Sequence, residues 1–413
     1  MREAITTRGT PGTVPGPTSS TGATTQHRSG PGPYPRRVPR PLRILVITVA
    51  HPPLDARIHN RQIRSLLERG HEVTYLAPFS AFGVEPPAGV RGVDVPRSVG
   101  RHRLGPVLAA GRTARRLAHH HDVVIGHDPE LLPVLHVLGR PRRGRRDAPA
   151  VVWDVHEDVP AQMEMTTWIP GPVKRPATAV ATAVEGFTER RLHLTLAEHA
   201  YASRFRGEHP IVPNSPRVPA ELPAEPPTAP GEPQRLVYVG AITTARGIEE
   251  MLQLVRRLPA DVRLELIGNA APGLDARLRA IDDPRLDYRG FVPNAVALQR
   301  LDGALAGLVL LHRHDNYLQS QPSKALEYLA HGVPFITTPN PASAALAADS
   351  GAGIVVEHGD VDGLLAAVLA LRADPERRQA MRVAGHTAAL ARHDWNRQGR
   401  EFAEAVEAWA QQR

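Results

Sequence analysis

Short, almost uninterrupted apolar runs alternate with helix-periodic segments along this 413-residue chain, in two separate series. Residues 42–49 form the first run, and a strand that is apolar on both faces belongs inside a parallel sheet covered on both sides. The loop His51-Pro52-Pro53-Leu54-Asp55-Ala56-Arg57 leads to Ile58, Gln62, Ile63, Leu66 and Leu67 at helical spacing. Gly70 ends that helix, and residues 73–76 give the next strand, completing a βαβ unit. Further strands are expected at 123–125 and 151–155. Residues 216–234 are dominated by Pro, Ala and Glu, too rich in proline for a helix, and read as a linker. The alternation then restarts, with strands at 236–239, 262–267, 286–289, 307–311, 333–337 and 353–356 and a helix over 247–258. The expectation is an α/β chain of two doubly wound, Rossmann-like domains, residues 41–215 and 235–393, facing across a cleft. Residues 394–413 form a terminal segment. Ligands of such sheets sit outside the carboxyl ends of the strands, so a substrate belongs in the cleft.

Composition narrows the classes. The absence of cysteine excludes disulfides and thiolate metal sites and fits a reducing compartment. The longest apolar stretches, 304–311 and 364–371, are too short to span a bilayer. Residues 1–40 are rich in Pro, Gly, Ser, Thr and Arg without an apolar h-region, and are expected to be a disordered tail, neither signal nor anchor. A cytoplasmic location follows as the expectation. Of the net charge of +8, much is concentrated in ten arginines between 101 and 146, suiting either a solvated surface or peripheral contact with an anionic membrane. Aromatics make up 4% and do not interleave with these arginines, which argues against nucleic acid. No GxGxxG follows the first strand, so a nicotinamide or flavin site is not expected.

The segment Pro322-Ser323-Lys324 opens a helix whose buried face is Leu326, Leu329 and Ala330, ended by Gly332. A helix N-terminus holding a lysine is an anion site, because free N–H groups and the helix dipole point at the ligand. Lys174 and Lys324 are the only lysines. Glu327 lies one turn further in, placed to accept hydrogen bonds from sugar or ribose hydroxyls. Phosphate and hydroxyls recognised side by side suggest a nucleotide-sugar; the plainer alternative is a capped helix with a surface lysine. Two clusters, His127-Asp128-Pro129-Glu130 and His156-Glu157-Asp158, end strands of the first half and should face the cleft. Imidazole and carboxylate could bind zinc or iron, but no His-x-x-x-His spacing supports it, and no metal is expected. Asp360-Val361-Asp362 reads as a helix cap.

On these residues the chain resembles a family-4 glycosyltransferase of the retaining GT-B type, over about residues 41–410. Val237-Tyr238-Val239-Gly240 with Arg246-Gly247-Ile248 is similar to the family's first strand and diphosphate-binding loop, and Leu264-Glu265-Leu266-Ile267-Gly268-Asn269 to its second strand and glycine turn. Tyr288-Arg289-Gly290-Phe291-Val292 resembles the segment that holds the base, and Asp394-Trp395-Asn396 the start of the terminal helix that crosses back to the first domain. The resemblance implies sugar transfer from a nucleotide-diphosphate sugar with retention, and neither metal nor cofactor. It makes Gly240, Arg246, Gly268, Phe291, Val292, Ser323, Lys324 and Glu327 the donor site, with Glu327 on the ribose and Arg246 and Lys324 on the diphosphate. It places His156 and Gln319 beside the reacting carbon, and leaves His51, Asp55, Arg57, His127 and Asp128 at the acceptor side. The acceptor it implies is a sugar, lipid-linked or small-molecule one, in polysaccharide, glycolipid or natural-product assembly. Two positions depart from the family: Gln319 stands where a second glutamate is usual, and Ala241 where a basic residue is common. A nucleotide-sugar epimerase on the same fold, or a degenerate nucleotide-sugar-binding partner, is the alternative.

Overall fold

All strand pairs within the two six-stranded sheets are parallel. The computed structural model describes residues 40–100, 103–140, 148–160, 171–226, 231–313 and 322–412. The expected tail, apart from Arg40, and Gln319 lie outside the described residues. The first sheet holds β1 (Arg43–Ile47), β2 (Glu72–Ala77), β3 (Val90–Asp94), β4 (Val123–Gly126), β5 (Ala150–Val155) and β6 (His193–Leu196), in the order β3-β2-β1-β4-β5-β6. The second holds β7 (Gln234–Val239), β8 (Val262–Ile267), β9 (Leu286–Gly290), β10 (Ala306–Val309), β11 (Phe335–Thr337) and β12 (Gly353–Val355), in the order β12-β11-β10-β7-β8-β9. Counted from its own first strand, each sheet has the same doubly wound order. Its direction reverses between β1 and β4 in one sheet and between β7 and β10 in the other, where a crevice opens at the strand ends. The sequence reading missed β3 and β6, the two edges of the first sheet. Val90-Arg91-Gly92-Val93-Asp94 is only half buried and four-residue β6 begins with a histidine, so neither shows a long apolar run.

Six helices position the site. They are α1 (Arg64–Glu68), entered through a wide π-helical turn Ile58–Ile63, α2 (Leu104–Leu117), α3 (Leu132–Leu138), α4 (Ile248–Val255), α5 (Ser323–Ala330) and α6 (Trp395–Gln411). Asp394 caps α6 by accepting from Asn396 N. Trp395, Phe402, Ala403 and Val406 are fully buried in the same core as Ile44, Ile58 and Leu66 of the first sheet layer. Trp395 Nε1 donates to Ser65 Oγ at 2.9 Å, and Gly399 leaves room for that pair. The proline-rich stretch is not a free spacer. Pro216 O accepts from Trp395 N, Pro219 O lies 2.9 Å from His386 Nε2, and Pro223 O accepts from Arg382. Among the described residues, no helix is long and apolar enough to cross a membrane.

Candidate functional site

Three glycines bring the ends of β7, β8 and β9 together. Gly240 N donates to Ile267 O and Gly268 N to Gly290 O, both at 2.8 Å. A Cβ on Gly268 would collide with the Gly240 carbonyl. A Cβ on Gly240, whose φ is 132°, would fall 2.5 Å from Lys324 Cε and 2.9 Å from Nζ. The glycine that follows β7 is what lets the Lys324 stem cross the strand end. Nζ also lies 5.5 Å from the Tyr238 ring centroid, and Tyr328, buried under α5, donates to Leu308 O to fix the helix on the sheet.

Lys324 lies in the first turn of α5, whose N-terminus receives no side-chain cap. Burial lowers its pKa to about 8; the charge of Arg246 acts the same way, and Glu327 opposes both. Arg246 ends the turn before Gly247, which opens α4 with φ 80°. Two cations and a helix N-terminus therefore converge, an arrangement that favours an anionic ligand. Burial raises the Glu327 pKa, against the pull of Arg61 and Lys324. Ser323 is exposed at the mouth of this site, and Val292 packs against the second core. Phe291 is 69% exposed.

The second cluster is built around a residue the sequence reading did not single out. Asp154, in β5, is fully buried and accepts five hydrogen bonds or close contacts. Arg57 Nε and Nη2 bind its two oxygens at 2.7 Å each, Thr195 Oγ1 donates at 2.6 Å, and His127 Nδ1 and His156 Nδ1 lie at 3.1 and 3.3 Å. Burial alone would raise its pKa, but the Arg57 charge and these hydrogen bonds hold it well below the usual carboxylate range. Burial disfavours the His156 cation, yet Asp154 outweighs it and raises the His156 pKa; for His127 burial wins and the pKa is lowered. His156 Nε2 then meets His51 Nε2 at 3.0 Å, on the partly exposed side of the cluster. Past β6, burial pushes the Glu198 carboxyl up to about 7.

This geometry corrects part of the expected acceptor side. Arg57 is not a surface contact: besides Asp154 its guanidinium donates to Val212 O and Asn214 Oδ1, and it is 5% exposed. Asp55 Oδ1 accepts from Arg57 N and Ile58 N, opening the helical turn, and the residue is partly exposed. Asp128, fully buried, accepts from Val49 N at 2.6 Å and from Thr48 Oγ1, tying β4 to the end of β1. His127 is buried too, so of the five acceptor-side residues His51 and Asp55 keep partial exposure, as His156 does. Spacing gave no hint of metal, yet the fold gathers His51, His156 and Glu157, and separately His127, Asp154 and His156, with possible ligand atoms within 4.8 Å. Arg57 already neutralises Asp154, which disfavours a cation in the second set.

The two clusters are linked by one helical turn. Arg57 anchors on Asp154, and Arg61, four residues on, reaches from the first sheet layer to Glu327 on the second, with Nη2 3.9 Å from Oε1. Its Nε donates to Ser215 O at 2.6 Å. Residues four apart share a helix face, so the histidine cluster and the cation site border one cleft. Arg61 was not singled out from sequence; its spacing from Arg57 was the available signal.

The family described as Glycosyl transferases group 1 matches residues 233–374, a span that contains Gly240, Arg246, Lys324 and Glu327. Sucrose-phosphate synthase of Thermosynechococcus elongatus superposes over 90% of this chain and 100% of its own, at 15% identity and a TM-score of 0.66. HepE of Anabaena, solved in complex with UDP-glucose, covers 89% of this chain and 100% of its own at 13% identity and 0.62. WaaG, a glycosyltransferase involved in lipopolysaccharide biosynthesis, covers 88% and 99% at 14% identity and 0.60. The chain has the GT-B fold. The family match over its second half supports glycosyl transfer as the class of activity. Among curated proteins no sequence matches.

Proposed function

We propose that this protein moves a sugar from a nucleoside-diphosphate sugar to an acceptor hydroxyl with retention at the anomeric carbon, without a metal ion. The observation that carries the reading is the pairing of Lys324, Arg246 and an uncapped helix N-terminus with the partly buried carboxylate of Glu327 one turn on. Solved complexes of the similarly folded HepE with UDP and UDP-glucose support a donor of this kind.

In this mechanism the bond from the anomeric carbon to the diphosphate oxygen breaks while the acceptor oxygen bonds the same face. The acceptor proton passes to the departing phosphate oxygen, so no separate base is required. Negative charge grows on the diphosphate, and preorganised donors at that point lower the barrier most. Lys324, Arg246 and the first N–H groups of α5 fill that role, and Glu327 holds the ribose hydroxyls in place of Arg61. His156, whose ring is fixed by Asp154, orients the sugar; Gln319 would assist from outside the described residues. Polysaccharide, glycolipid or natural-product assembly is the setting this chemistry suits.

Incubation with a panel of nucleotide sugars and a cell extract tests the proposal. Transfer with release of nucleoside diphosphate supports it. An isomerised donor would make the protein an epimerase, and saturable binding without turnover a degenerate partner; either overturns it.

A further inference from the structure

α2 and α3 border an apolar groove of about 620 Å³. Its floor is Val107, Gly111, Val134 and Leu138, Pro133 is exposed at its edge, and its lips are Leu104, Leu108 and Val137, which are 80%, 57% and 44% exposed. Leu104 and Leu108, four residues apart, share one face of α2 and with Val137 turn a short hydrocarbon stripe outward. Exposed apolar surface gathered in one groove marks an interaction site rather than scatter. The floor offers no polar group of the kind a sugar or nucleotide needs. Arg112, Arg115 and Arg116 stand exposed along the same helix, and among the described residues none has a carboxylate partner. The groove's acid, Glu130, is held by Arg103 at 3.0 Å.

We propose that this face docks on an anionic phospholipid bilayer, with Leu104, Leu108 and Val137 entering the acyl region and the three arginines meeting lipid phosphates. Charge selects that occupant. Residues 1–40 carry six arginines against one glutamate, a charge that does not complement this rim. A two-fold contact with a second copy through this face would gather two sets of three arginines at one interface. A hydrocarbon stripe flanked by cations matches a lipid headgroup and its chains in order of depth. The inference stands apart from the donor chemistry, and its test needs no turnover.

Flotation of the full chain with phosphatidylcholine vesicles, with and without phosphatidylglycerol, decides it. The wild type is expected to float with the anionic vesicles alone, and less so as salt is raised. Each arginine near an anionic surface contributes about fivefold, so R112Q/R115Q/R116Q should lose on the order of 100-fold in partitioning. Leu104→Asp with Leu108→Asp should lose more than ~10-fold, and because all five side chains are exposed, melting temperatures should be unchanged. Absence of wild-type flotation, or variants that float like wild type, overturns the proposal. So does a dimer in sedimentation velocity that dissolves on Leu104→Asp while vesicles are ignored, since a second copy would then be the occupant.

Discussion

Lys324→Met keeps the unbranched stem and removes only the charge. Burial has drawn this ammonium down to about 8 from an ordinary 10.5, so the folded protein holds the proton more weakly than the unfolded chain does. Below pH 8 both states are charged and the full penalty applies; it fades as pH rises to 10.5 and is absent above. At about 1.36 kcal/mol per pH unit between the two values, the penalty at pH 7 is at most ~3.4 kcal/mol. Because the side chain is partly exposed, Lys324→Met should stabilise the ligand-free protein at pH 7 by roughly 1–3 kcal/mol, with the gain more than halved by about pH 9.5. Binding should move the other way. Loss of a charge-assisted contact to the diphosphate costs about 1.5–3 kcal/mol, or ~10–100-fold in Kd. Wild-type affinity for a nucleoside diphosphate should fall above pH 8, while the variant's profile stays flat. Urea titrations and calorimetry across this range read both effects. A variant no more stable than wild type, binding nucleoside diphosphate equally well, would refute the view that this lysine is held at a cost for an anion.

Glu327→Ala should weaken donor binding by about 1–3 kcal/mol with the fold intact, and equal affinities by calorimetry would remove it from the ribose. Asp154→Asn leaves the buried Arg57 guanidinium without its counter-charge and should cost ~3–5 kcal/mol in urea unfolding; a loss below ~1 kcal/mol would show that the hub is not needed to hold the histidines. His156→Ala should abolish most transfer with little change in nucleoside-diphosphate affinity, and the wild type should remain active in excess chelator. Loss in chelator, restored by one divalent ion, would instead make His51, His156 and Glu157 ligands.

The second half's fold was legible because its backbone signals are local. The strand–glycine turns at Gly240 and Gly268, and the helix that opens at Ser323, lie within short stretches whose backbone demands show directly in residue type. Buried central strands such as β1 and β8 announce themselves as apolar runs, while edge strands β3 and β6 face solvent on one side and do not. The first half's site was harder to read because it is assembled across distance. Asp154 joins Arg57, His127, His156 and Thr195 from four separate segments, and only a lone acid in Val151-Val152-Trp153-Asp154-Val155 hinted at it. Arg57 and Asp128 looked like ligands because they are charged and sit beside strand ends. The fold instead pairs them internally, since a buried charge without a partner is too costly to keep.

The most direct test of the account follows the anomeric proton of the transferred sugar by NMR, from a confirmed donor to its product. Attack guided from the leaving-group side, with Lys324 and Arg246 holding the diphosphate, predicts the same anomeric configuration in donor and product from the first turnover, in the presence of chelator. A product of opposite configuration would place the acceptor on the far face of the sugar, require a base among His51, His156 or Glu198, and contradict the mechanism.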